Sequence, residues 1–142
     1  MNNVTVKIEG LDELQRKLKA LGDEFAAKAL VGAAFSANKV LQDAAKENIV
    51  SAGAYDTGLL YKSIRRKKIV YDQSGTIVIM TGVDKNVKGE DADGRTRIPS
   101  RYAHLVHEHK PFMQDAYDKT KQAVVDAFVN HLKQKIAKHV KP

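Results

Sequence analysis

Val4, Val6 and Ile8 alternate with polar residues in VTVKIEG, the period-two signature of a short, half-buried strand that Gly10 ends. Leu11, Leu14, Leu18 and Leu21 then recur at helical spacing, and the rhythm resumes after Gly22 with Phe25, Ala29, Ala33, Ala37, Val40, Leu41 and Ala44. That spacing predicts a long amphipathic helix with a kink. Ala26, Ala27, Ala34 and Ala45 put small side chains on several sides of its second half, which lets another helix or a neighbouring subunit approach closely. The period drifts from strict heptads, so a coiled coil is not expected. Ser51, Gly53 and the polar residues after them close the helix.

From Leu59 to Val83 the pattern changes to strand. Leu60, Ser63 and Ile64 lead into a hairpin in which Ile69, Val70 and Tyr71 face Ile77, Val78, Ile79 and Met80 across the turn Asp72-Gln73-Ser74-Gly75. Residues 85–100 are rich in charge and glycine and nearly free of apolar side chains, which predicts a mobile loop. A short apolar piece follows around Tyr102, Leu105 and Val106. Pro111 then precedes Phe112, Ala116, Ala123, Val124, Ala127, Phe128, Leu132, Ile136 and Val140, a helical stripe with the proline in the first turn. The expected fold is α+β: a long N-terminal amphipathic helix and a C-terminal helix packed on a small, mainly antiparallel sheet of about four strands. Residues 1–142 form one domain in this reading.

Composition supports that size of unit. The chain has 142 residues, 43% of them hydrophobic, enough for one core. Cysteine is absent, which removes disulfides and thiol chemistry and fits synthesis in a reducing cytoplasm. The first residues, MNNVTVKIEG, lack a basic segment followed by an apolar stretch, so no signal peptide is expected. No apolar run is long enough to span a bilayer. The net charge of +7 calls for an anionic neighbour. Much of the excess falls in Lys62, Arg65, Arg66, Lys67 and Lys68 and in Lys133, Lys135, Lys138 and Lys141, the latter joined by His131 and His139. A solvated face is the plainer reading of both stretches, and no aromatic residues interleave with them to stack on single-stranded bases.

Candidate chemistry is sparse. Asp56-Thr57-Gly58 is the triplet that carries the catalytic carboxylate of aspartic proteases. Such an enzyme needs two carboxylates sharing a proton at the end of apolar strands in a β-rich domain, so this chain would have to dimerise around Asp56. A long helix precedes the triplet here, and the simpler reading is a turn: Asp56 and Thr57 accept local N–H bonds, Gly58 takes a positive φ, and Leu59 starts the strand. His104, His107 and His109 offer two alternatives, His104 with His107 on a helix face or His107 with His109 on a strand face, and neither completes a metal site. GEDADG lacks the later ligands of a calcium loop. No catalytic, cofactor or metal residue is therefore expected.

The order of these segments resembles a known family. The stretch Asp56-Thr57-Gly58-Leu59-Leu60-Tyr61-Lys62-Ser63-Ile64 follows the long helix, and after the hairpin come Tyr102-Ala103-His104-Leu105-Val106-His107-Glu108 and then Pro111-Phe112-Met113 with Ala116 opening the last helix. This succession looks like the gene-ten-like minor tail components, the tail-completion or neck proteins of long-tailed double-stranded DNA phages, whose pattern is D-T-G-x-L-x-x-S-I, Y-A-x-x-V-E-x-G and a P-F box. The resemblance covers roughly residues 4 to 140. In the middle box Val106-His107-Glu108-His109-Lys110 runs straight into Pro111, without the family's glycine and with a shorter spacer.

What the resemblance implies is a non-enzymatic structural protein of the virion, encoded by a phage or prophage. It would be made in the bacterial host cytoplasm and assembled into a homo-oligomeric ring at the head–tail junction. Its partners would be the head-connector and the tail-tube or tail-terminator proteins, with double-stranded DNA passing through the channel without sequence specificity and no membrane contact. The Ala-rich helix and the hairpin would supply the two halves of a closing head-to-tail interface. Motif turn and core positions would be Asp56, Thr57, Gly58, Leu60, Ser63, Ile64, Tyr102, Val106, Glu108, Pro111, Phe112 and Ala116. Arg65, Arg66, Lys67 and Lys68 would reach DNA or a partner, and the loop with Lys88, Glu90, Asp91, Asp93, Arg95 and Arg97 would order against a neighbouring ring. Two other classes stand beside this one: a small basic cytosolic DNA-binding regulator using the hairpin, and the dimeric aspartic protease using Asp56.

Overall fold

The computed structural model describes residues 11–54, 57–71 and 76–140. The expected strand at Val4 to Ile8, the role of Asp56 and the turn at Asp72 to Gly75 lie outside those residues.

Helix α1, Leu11–Ala20, and helix α2, Asp23–Ser51, replace the single kinked helix. The break is at Leu21 and Gly22: their amides bond back to the carbonyls of Leu18 and Lys19 in a tightened last turn, and Gly22 takes φ 110°. Gly22 O then accepts the first bond of α2, from Ala26 N at 2.9 Å, and Asp23 and Glu24 sit in the first turn, where the helix dipole favours acids. At the other end Gly53 N bonds Val50 O and Ala54 N bonds Ile49 O, the paired closure of a Schellman motif.

Leu59 to Ser63 form a short helix, α3, where the sequence pattern suggested the start of a strand. Leu60, Ser63 and Ile64 are spaced by three and four, so one helical turn buries all three on the same side, at 3%, 0% and 0% exposure. Ser63 Oγ donates to Leu60 O at 2.6 Å and so needs no partner from the core. Strand β1, Ile64–Tyr71, follows and pairs antiparallel with β2, Thr76–Val83, from Ile64 opposite Val83 to Tyr71 opposite Thr76.

The sheet of about four strands is not formed. Four strands are present among the described residues, but as two separate two-stranded ribbons, because β3, Gly89–Glu90, pairs only with β4, Thr96–Arg97. Those two-residue strands carry no apolar side chain with which to extend a sheet over a core. Helix α4, Pro99–His109, absorbs the short apolar piece, with Pro99 in its first turn. Lys110 is extended, as a residue before proline should be, and Pro111 O accepts from Asp115 N to open helix α5, Phe112–Val140. Pro111 is thus the capping residue, one position before the first turn in which the stripe placed it.

The two 29-residue helices α2 and α5 lie antiparallel. Asn48 Nδ2 donates to Phe112 O at 3.1 Å at one end, and the rings of Phe25 and His139 meet at 4.1 Å at the other. Ala26, Ala29, Ala33, Ala37 and Ala45 are all buried, and their small side chains allow the close approach. The buried alanines of α2 are therefore taken up within the chain, whereas Ala27 and Ala34, on its other sides, are exposed and half-buried. Two apolar clusters form along the pair. Near the α2 C-terminus Ala45, Ile49, Leu60, Ile64, Ala103, Phe112 and Ala116 pack together, and near its N-terminus Leu18, Ala26, Ala29, Ala33 and Leu132 do.

Candidate functional site

The first cluster gathers the three sequence boxes. Leu60 and Ile64 come from the first, Ala103 with Tyr102 and Val106 from the second, and Phe112 and Ala116 from the third. Above them opens a cleft of about 240 Å³ lined by Ala54, Thr57, Gly58, Leu60, Asp91, Arg97 and Tyr102. Gly58 takes φ 74°, a left-handed backbone that side chains rarely adopt, and its carbonyl accepts from Lys62 N. Thr57 Oγ1 accepts from Leu59 N at 3.3 Å and fixes the entry to α3.

Asp91 and Arg97 reach this cleft from residues 85–100, to which the structure gives an internal organisation that composition does not suggest. Asp91 Oδ1 accepts from Asp93 N at 3.0 Å and Arg95 N at 2.9 Å, while Oδ2 accepts from Arg97 Nε at 2.8 Å. The Asp91 side chain is only 11% exposed. Gly94 N closes the turn onto Asp91 O, and Asp91 N bonds Arg95 O. The carboxyl is held below its ordinary value of 3.8, first by the Arg95 amide and then by the Arg97 side chain, which outweigh partial burial. The folded turn therefore favours the ionised form. Its contribution is whole above the ordinary value and is lost as pH falls through the lowered one. In a carboxyl-carbon titration by NMR, Asp91 should titrate below 3.8, and amide protection at Asp93 and Arg95 should fall in the same range. An unshifted midpoint would contradict this arrangement. As an acceptor of three hydrogen bonds with a lowered proton affinity, Asp91 is poorly suited to general acid–base work.

The remaining candidates divide. Ser63 is buried, Glu108 is exposed on α4, and Lys88, Glu90, Asp93 and Arg95 are exposed around the β3–β4 ribbon. Of the four basic residues on β1, Arg65 Nη1 approaches Asp84 Oδ2 at 3.4 Å. Arg66 turns inward: its Nη1 donates to Phe35 O at 2.6 Å and its guanidinium lies 4.2 Å above the Phe35 ring, so it fastens the ribbon to α2. Lys67 and Lys68 are exposed. On α4 the helical alternative for the histidines applies: His107 is half-buried with its ring edge-on to Phe112 at 5.3 Å, and His104 and His109 are exposed. Among the described residues no group of three His, Asp or Glu side chains is placed to hold a metal ion.

Sequence reading missed that Asp91, Arg97 and Tyr102 share a cleft with the Thr57-Gly58 turn. The available signal was DADGR itself, in which an Asp followed by Gly and Arg can close an Asx-type turn on its own backbone. Comparison of the chain with protein-family models, curated proteins and solved structures finds no match. Among the described residues no helix is long and apolar enough to cross a membrane.

Proposed function

We propose that this chain is a structural, non-enzymatic subunit of a tailed-phage virion, assembling into the neck or tail-completion ring around the DNA channel. The observation that carries the reading is the convergence of its three motif boxes on one core, although residues 57–64 are far in the chain from residues 102–108 and 111–116. The boxes thus act as one packing unit. The shortened junction after the middle box fits this unit: Lys110 alone separates α4 from Pro111, and its Nζ donates to Ala52 O at 3.0 Å, tying the junction to the end of α2.

A ring requires two different patches that meet head to tail. With the buried alanines of α2 taken up within the chain, exposed apolar side chains are left on other elements, Met80 on β2 and Leu105 on α4, at 50% and 52% exposure. Partners in this reading are further copies of the chain and the head-connector and tail-tube or tail-terminator proteins. Mass in solution tests it, by light scattering over a concentration series, alone and then with those proteins from the same genome. We expect a ring-sized species, or a monomer that joins one partner. A chain that ignores both partners and stays small at every concentration would refute the assembly reading.

A further inference from the structure

On α2, Lys28, Gly32, Phe35 and Lys39 follow one another at spacings of four, three and four, a single strip of the helix. Two other elements flank this strip. From β1, the Arg66 guanidinium covers the Phe35 ring. From α5, the Lys135 ammonium lies directly over Gly32, in space that any side chain at that position would fill. Gly32 and Phe35 are one turn apart, so two cations from two different elements bracket the same turn.

Lys135 is half-buried and makes no ion pair or hydrogen bond among the described residues. Withdrawing an ammonium from water is unfavourable unless an anion meets it. Arg66 spends its bond on the neutral carbonyl of Phe35. Lys28 and Lys39 have carboxylate neighbours, Glu24 at 3.0 Å and Asp43 at 2.8 Å, but every side chain in these two pairs is more than half exposed. Such pairs are weak and screened, so both lysines can turn towards another anion. The strip therefore presents four cations against two loosely held carboxylates. Lys138, three residues beyond Lys135, adds a fifth on the exposed flank of α5.

We infer that this strip is a phosphate-binding groove that takes the backbone of duplex nucleic acid without sequence preference. Duplex is favoured over single strand because the two aromatic rings beside the strip are already covered, Phe35 by Arg66 and Phe25 by His139, and so are poor platforms for base stacking. A lipid surface is disfavoured because basic membrane faces pair their charge with apolar anchors. Among the described residues the exposed large apolar side chains, Val50, Met80 and Leu105, lie on the last turn of α2, on β2 and on α4, and none of them is on the strip. The groove lies within one chain, so the inference goes beyond the assembly reading and stands or falls separately from it.

The test is fluorescence anisotropy of a labelled duplex of about 24 base pairs with the full chain, from roughly 50 to 200 mM salt. Four cation contacts predict that log affinity falls against log salt with a slope of about −3 to −4. Lys135→Gln should weaken binding equally on two unrelated duplex sequences and flatten the slope by about one, while Lys135→Arg keeps it. Gly32→Ala should act like Lys135→Gln, because the new Cβ displaces the ammonium, yet it should not harm folding, since Ala favours a helix more than Gly. Four results would overturn the inference: no duplex binding at the lowest salt, an unchanged slope in Lys135→Gln, tighter binding to the matching single strand, or tighter binding to phosphatidylglycerol vesicles.

Discussion

Phe112→Ala lowers the stability of the fold by about 3 to 5 kcal/mol, the range found when a buried aromatic ring is truncated without collapse around it. Phe112 is 3% exposed and lies where α2, α3, α4 and α5 meet. Several elements would have to move together to refill the space, so relaxation should recover little of the loss. The His107 ring also loses the partner it meets edge-on at 5.3 Å. In thermal unfolding followed by circular dichroism, a loss of this size should lower Tm by about 10 to 17 °C. An unchanged Tm would mean that the P-F box is not part of the core.

The consequences of that substitution also bear on the cleft. Phe112, Leu60, Tyr102 and Ala54 belong to the same cluster or its immediate packing shell, and Leu60, Tyr102 and Ala54 line the cleft. The cleft's shape therefore depends on the ring of Phe112 although that ring does not line it.

Legibility in the sequence followed the strength of local signals. The two long helices were readable because their apolar positions recur at helical spacing for many turns and because proline and glycine mark their ends. Leu59 to Ser63 misled because five residues are too few to separate one helical turn from the start of a strand. The loop from 85 to 100 has few apolar residues and no periodic spacing of them, so hydrophobic pattern said little about it; the turn inside it is closed by one carboxylate accepting three hydrogen bonds. Arg66 and Lys135 were legible as charges but not as positions. Whether a basic side chain points to solvent or folds over Phe35 or Gly32 depends on how β1 and α5 dock on α2, which no local pattern encodes. Of the alanines read as close-packing, Ala26 and Ala45 are buried while Ala27 is exposed and Ala34 half-buried, and the choice between a helix of the same chain and a second subunit was a tertiary matter.

Leu132→Ala should be the second large effect, at about 2 to 5 kcal/mol, since Leu132 has 0% exposure and packs against Leu18, Ala26, Ala29 and Ala33. Alanines around the site cannot extend to fill the void, so any relaxation would have to come from a shift of α1 or from the partly buried Leu14, Phe25, Leu30, Phe128 and Ile136 packed against the cluster. This cluster is about 30 Å along α5 from Phe112, twenty residues at the helical rise. Sites so far apart without shared partners should contribute independently. Full truncation of both would approach the whole stability of a typical domain, so the pairing is better tested with Phe112→Leu and Leu132→Val, about 1 kcal/mol each. Chemical denaturation of the two single variants and the double variant should give losses that add to within about 0.5 kcal/mol. Additivity would mean that α2 and α5 act as a rigid pair carrying two separate cores. A larger discrepancy would mean that strain passes along the helices through the close contact at Ala37, and that the motif-bearing end and the basic groove are mechanically coupled.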